Sequence, residues 1–156
     1  MISGKKIPMD YKLVVVGPLD TNCYLVSCRE TLDCAVIDPG AEADRIFPVI
    51  LEFGLKPILI LNTHGHIDHT GANKDIKEKF RVPLYIHTLD SSLLEKVQQF
   101  ELSFFLGAKE SPPADRFLEG GEAIAIGRSS LHVIHTPGHT PGSVSFLGDG
   151  ILFSGD

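Results

Sequence analysis

Short apolar runs bounded by turn residues dominate the chain, and three stretches carry helical spacing. Residues 11–16, 22–27 and 34–37 are apolar or β-branched with polar turns between them, which predicts three strands. Asp38-Pro39-Gly40 reads as a turn. Over residues 42–53 the apolar positions Ile46, Phe47, Val49, Ile50 and Phe53 follow helical spacing, with a kink or break predicted at Pro48 and a stop at Gly54. Residues 57–61 are continuously apolar, as in a buried strand. Residues 73–80 are amphipathic and predict a helix, 82–86 a strand, and 90–100 another helix. A loop-rich passage covers 107–121, with Pro112, Pro113, Gly120 and Gly121. Short strands follow at 124–126, 131–134, 143–147 and 151–153. Alternation in the first half predicts an α/β layered fold with helices against sheet. The 156 residues fit a single domain, 1–156.

Charge narrows the partners. The chain holds 14 basic and 20 acidic residues, a formal charge of −6, which argues against nucleic acid. The opening residues include Lys5 and Lys6 but no apolar segment of signal-peptide type. No apolar run approaches the ~20 residues that span a bilayer. Cys23, Cys28 and Cys34 form no C-x-x-C pair, and Cys23 and Cys34 lie in strand-like apolar segments. They read as reduced structural thiols, and the expected location is the cytoplasm.

The chemistry is concentrated in Thr63-His64-Gly65-His66-Ile67-Asp68-His69, directly after the run 58–61. Neutral imidazole and carboxylate are the ligands that Zn²⁺, Fe and Mn accept from proteins. His64 and His66 are one residue apart, and Gly65 between them permits a tight turn. Asp68 and His69 follow a change of direction and are placed to serve a second ion. Further ligands must come from elsewhere. His139 sits in Thr136-Pro137-Gly138-His139-Thr140-Pro141-Gly142, and Asp156 ends the run Leu152-Phe153-Ser154-Gly155-Asp156. His87 follows an apolar strand and is a further candidate for the pocket. His132 and His135 are read as structural or exposed, and Tyr24 as packed within a sheet.

His64-x-His66-x-Asp68-His69, then His139, then Phe153-Ser154-Gly155-Asp156, resembles the metallo-β-lactamase superfamily, and within it the glyoxalase II-like hydrolases. The stretch 21–26 and the turn 37–40 resemble the same group. The resemblance implies an αββα sandwich with metals at one edge of two sheets. It implies that His64, His66 and His139 hold a first metal, that Asp68 and His69 hold a second, and that Asp156 bridges them. It further implies a hydrolase that uses metal-activated water on a thioester or small ester, with Zn²⁺ (one or two ions) or with Fe or Mn. Asp68 would also act catalytically on that water. Family members continue past this aspartate and carry a last histidine for the second metal. The expectation is therefore a truncated product whose C-terminal part is missing, with apolar surface exposed and self-association into a homo-oligomer. Two alternatives stand beside the hydrolase of small molecules. One is a mononuclear iron persulfide dioxygenase, and the other a truncated, non-catalytic metal-binding module.

Overall fold

The computed structural model describes residues 8–95 and 104–156. Strands β1 (Met9–Val16), β2 (Thr21–Cys28) and β3 (Asp33–Ile37) form an antiparallel meander. Helix α1 (Ala43–Glu52) then crosses to β4 (Lys56–Leu61), which lies parallel to β3. A one-turn helix α2 (Ile67–Thr70) and helix α3 (Asn73–Phe80) lead to β5 (Leu84–His87), parallel to β4. A 3₁₀ turn (Thr88–Asp90) and α4 (Ser91–Leu94) follow, and β6 (Arg116–Leu118) completes a six-stranded sheet in the order β1-β2-β3-β4-β5-β6. Strands β7 (Ala123–Ile126), β8 (Ser129–His135), β9 (Val144–Gly148) and β10 (Ile151–Phe153) form an antiparallel sheet in the order β10-β9-β8-β7.

The period-2 alternation of the strands sorts their side chains into two cores. Cys23, Leu25, Cys34, Val36, Ile60, Leu84 and Ile86 face Ile46, Ile50 and Ile76 of the helices. Val26, Ala35, Ile37, Leu59 and Leu61 face Leu131, Val133, Val144 and Phe146 of the second sheet. Strands β3 and β4 are thus covered on both faces, which explains their unbroken apolar runs. The layers are helix, sheet, sheet. The outer face of the second sheet leaves Ile134, Leu147 and Leu152 at 39%, 36% and 54% exposure, and no helical layer covers it among the described residues.

Several expectations are revised. Helix α1 runs through Pro48 without a break, because Ile46, Phe47, Val49 and Ile50 pack on the sheet and offset the lost hydrogen bond. Asp90 belongs to the 3₁₀ turn; of the helix expected over 90–100, α4 covers 91–94, and residues 96–100 lie outside the described residues. The passage 107–121 contains β6, a strand its three residues do not announce. Its pairing with Tyr85, Ile86 and His87 defines it. All three cysteines are free and buried. Burial pushes the Cys34 thiol up to about 12. Tyr24 lies edge-on to Phe153, ring centroids 5.3 Å apart.

Candidate metal centre

Strands β3, β4 and β5 are parallel, so their C-terminal ends open on one edge of the sheet. In open α/β sheets that edge is where ligands bind. Asp38 leaves β3 there, Asn62 to His66 leave β4, and Asp90 lies just beyond β5. The second sheet adds His139 from the β8–β9 turn and Asp156 after β10. The Val144 N–H donates to the Thr63 carbonyl across 2.8 Å, which stitches the two sheets together at this edge.

All six candidate ligands are brought together there. One nitrogen from each of His64, His66 and His139 lies within 4.8 Å of the others, and so do ligand atoms of Asp68, His69 and Asp156. His66 Nδ1 is 2.9 Å from His139 Nε2. Asp68 Oδ2 is 3.4 Å from His69 Nε2. Asp156 reaches both groups, with Oδ1 3.3 Å from His69 Nε2 and Oδ2 3.7 Å from His139 Nε2. The turn 64–66 differs from its expected cause: Gly65 does not need positive φ, but a Cβ on it would lie 2.6 Å from Leu93 Cβ.

A buried set of polar groups aims the rings. Asp38 Oδ1 accepts the Thr63 N–H at 2.8 Å. Its Oδ2 accepts the Thr63 hydroxyl at 2.6 Å and faces His69 Nδ1 at 2.9 Å. The Thr63 hydroxyl has one proton and gives it to Asp38, so it accepts from His64 Nδ1–H at 3.0 Å. His64 therefore turns a lone pair out through Nε2, and that atom is buried without a hydrogen-bond partner. An orphaned imidazole nitrogen beside two more imidazoles fits a soft-to-borderline metal ion. Asn62 Nδ2 donates to the His69 carbonyl at 3.2 Å, and Asn73 locks Asn62 in turn. Such outer partners fix ring orientation and tautomer.

The electrostatics agree. Burial, then the charge of His69, lowers the pKa of His64 to about 4, so it is a neutral donor. Burial opposes the charge on His69, but Asp38 and Asp68 outweigh burial and raise its pKa. Burial likewise works against the Asp68 carboxylate, and the His69 ring beside it wins, so Asp68 stays ionised. A cleft of about 210 Å³ opens beside the second group, between Thr21, Asn22, Asp68 and residues 154–156. A larger groove, about 870 Å³, lies between α3 and residues 110–115, and none of the clustered ligands lines it.

The family model of the metallo-beta-lactamase superfamily matches residues 16–156. The chain belongs to the metallo-beta-lactamase superfamily. Among superfamily relatives, the "Probable metallo-hydrolase YqgX" of Bacillus subtilis is 36% identical over 88% of this chain and 65% of its own length. The "Hydroxyacylglutathione hydrolase GloC" of Haemophilus influenzae is 33% identical over 95% of this chain and 71% of its own. The crystal structure of TTHA1623 in a di-iron-bound form superimposes with a TM-score of 0.76 at 36% identity, covering 88% of this chain and 66% of that one. The chain spans about two thirds of the length of these relatives.

Sequence reasoning missed Asp38, Thr63 and Asn62 as parts of this superfamily site. Asp38 was visible as an acid at a strand end, but read as a turn. His87 does not join the ligands. Its ring stacks on His135, centroids 4.5 Å apart, and His135 Nε2 meets the Pro141 carbonyl at 2.9 Å. His132 is exposed. No helix among the described residues is long and apolar enough to cross a membrane.

Proposed function

We propose that this chain carries the two-ion centre of a hydrolase that opens a thioester or related small ester, in the manner of a hydroxyacylglutathione hydrolase. The carrying observation is Asp156, whose two carboxylate oxygens face His69 and His139, one in each ligand group. In this reading His64, His66 and His139 hold the first ion, Asp68 and His69 the second, and Asp156 bridges them. Bound there, a pair of zinc ions supplies an acidified water and a Lewis acid for the carbonyl oxygen. Iron is an alternative occupant, supported by the di-iron form of the TTHA1623 relative. Asp68 keeps its negative charge beside His69 and is the group that orients the water and takes its proton. The cleft beside Asp68 and Asp156 gives a substrate carbonyl access to the second ligand group, and a small ester is the proposed substrate class. Three unpaired cysteines support a cytoplasmic setting.

The test is metal content by elemental analysis, followed by thioester hydrolysis before and after chelation and reconstitution. Two ions per chain and chelator-sensitive turnover are expected. One iron per chain with oxygen uptake on a persulfide would replace this reading with the dioxygenase. Bound ions without turnover on any thioester would leave a metal-binding module and refute the hydrolase.

A further inference from the structure

Asp90 is fully buried and outside the ligand set, yet it touches both turns that carry His64, His66 and His139. Its Oδ2 accepts the Gly65 N–H at 2.9 Å and the Thr140 hydroxyl at 2.7 Å. Its Oδ1 accepts the Gly142 N–H at 2.8 Å. Gly65 lies between His64 and His66, while Thr140 and Gly142 follow His139. The first turn belongs to the six-stranded sheet and the second to the four-stranded sheet. Asp90 itself leaves β5, so three segments far apart in the chain meet on one carboxylate.

We propose that Asp90 is a positioning residue that sets the distance between the His64–His66 turn and the His139 turn, and so forms the first-ion site. Two backbone N–H groups and a hydroxyl converge on it, and an ionised carboxylate is the side chain that accepts all three without presenting a donor. Burial of a charge is tolerated when it is hydrogen-bonded in this way. The second-ion ligands Asp68, His69 and Asp156 make no hydrogen bond to Asp90. Of these, His69 is held by Asp38 and Asn62. Asp38 reaches both halves of the centre, through His69 directly and through Thr63 to His64, whereas Asp90 contacts only the two turns of the first. This inference rests on the metal-centre reading and is independent of the substrate.

The experiment is a Co²⁺ titration of the whole chain followed by its visible spectrum, comparing wild type with Asp90→Asn. His66→Ala, which lacks a first-ion ligand, identifies the binding step that belongs to that site. Asp90→Asn keeps the shape but turns an NH₂ toward at least one donor. The expected result is a loss of about 10–100-fold in that step with an altered cobalt band, and a second step within about threefold of wild type. Unchanged affinity and spectrum would overturn the proposal, and so would equal loss in both steps, which marks a general loss of structure. If Asp90→Asn fails to fold, Thr140→Val removes one donor and is read in the same way: a weakened first step supports the role, and an unchanged one overturns it. A wild-type chain that takes up no Co²⁺ would overturn the metal-centre reading itself, and Asp90 with it.

Discussion

Asp38→Asn separates the support of the proposed second-ion site from that site's own candidate ligands. Asp38 has φ 51°, a left-handed conformation that Asn tolerates, so the backbone is not perturbed. The carboxylate is 1% exposed and takes three contacts: the Thr63 N–H, the Thr63 hydroxyl and His69 Nδ1. An amide can be placed in two ways. If its NH₂ replaces Oδ1, it faces the Thr63 N–H, donor against donor. If the NH₂ replaces Oδ2, it donates to His69 Nδ1, which holds the ring proton on Nε2, between Asp68 and Asp156, and so removes the lone pair that would bind the second ion. Either arrangement costs about 1–3 kcal/mol, the penalty of one unsatisfied buried polar group. At about 1.4 kcal/mol per tenfold, that weakens the second ion by about 5- to 140-fold. The first ion is reached only through Thr63 and His64, and loses less. The assay is competition between the protein and a chelator of known Zn²⁺ affinity, with the two steps resolved. Retention of the second ion within about threefold of wild type would refute the reasoning, because outer-shell partners are worth about 10–100-fold elsewhere.

Gly40→Ala should be more damaging than its size suggests, since a Cβ there would lie 1.7 Å from the Asp68 backbone oxygen. The expected loss is about 1–3 kcal/mol or more in chemical denaturation, together with a weaker second ion, and an unaltered midpoint would contradict it. Phe146→Ala removes a fully buried side chain between the two sheets. It should cost about 3–5 kcal/mol, whereas Leu51→Ala on the outer face of α1 should cost under about 0.5 kcal/mol; similar values for the two would mean that Phe146 is not central to the inter-sheet core. Cys23 and Cys34 are buried and burial pushes both thiols up, so a thiol reagent should spare them in the folded protein and modify them after denaturation; rapid native reaction of either would count against the packing described for β2 and β3.

The local elements and the candidate cluster at 64–69 are legible in the chain alone. Apolar runs and helical spacing are short-range properties, so most strands, α1 and α3 are legible within a few residues of their ends. The cluster 64–69 declares its chemistry because four metal-binding side chains in six positions serve no packing purpose. His139 and Asp156 were legible only beside that cluster and through a family resemblance, since a histidine in a Pro-Gly turn is common. Tertiary structure decided what depends on pairing across the chain. β6 exists because Arg116, Phe117 and Leu118 complete the edge of β5, and Pro48 stays helical because the sheet holds α1 in place. The supports of the site were hidden for the same reason. Asp38 lies 31 residues from His69, and Asp90 lies 50 from Thr140. A buried carboxylate is recognised by the donors that converge on it, and those donors are gathered only when the two sheets close on one another.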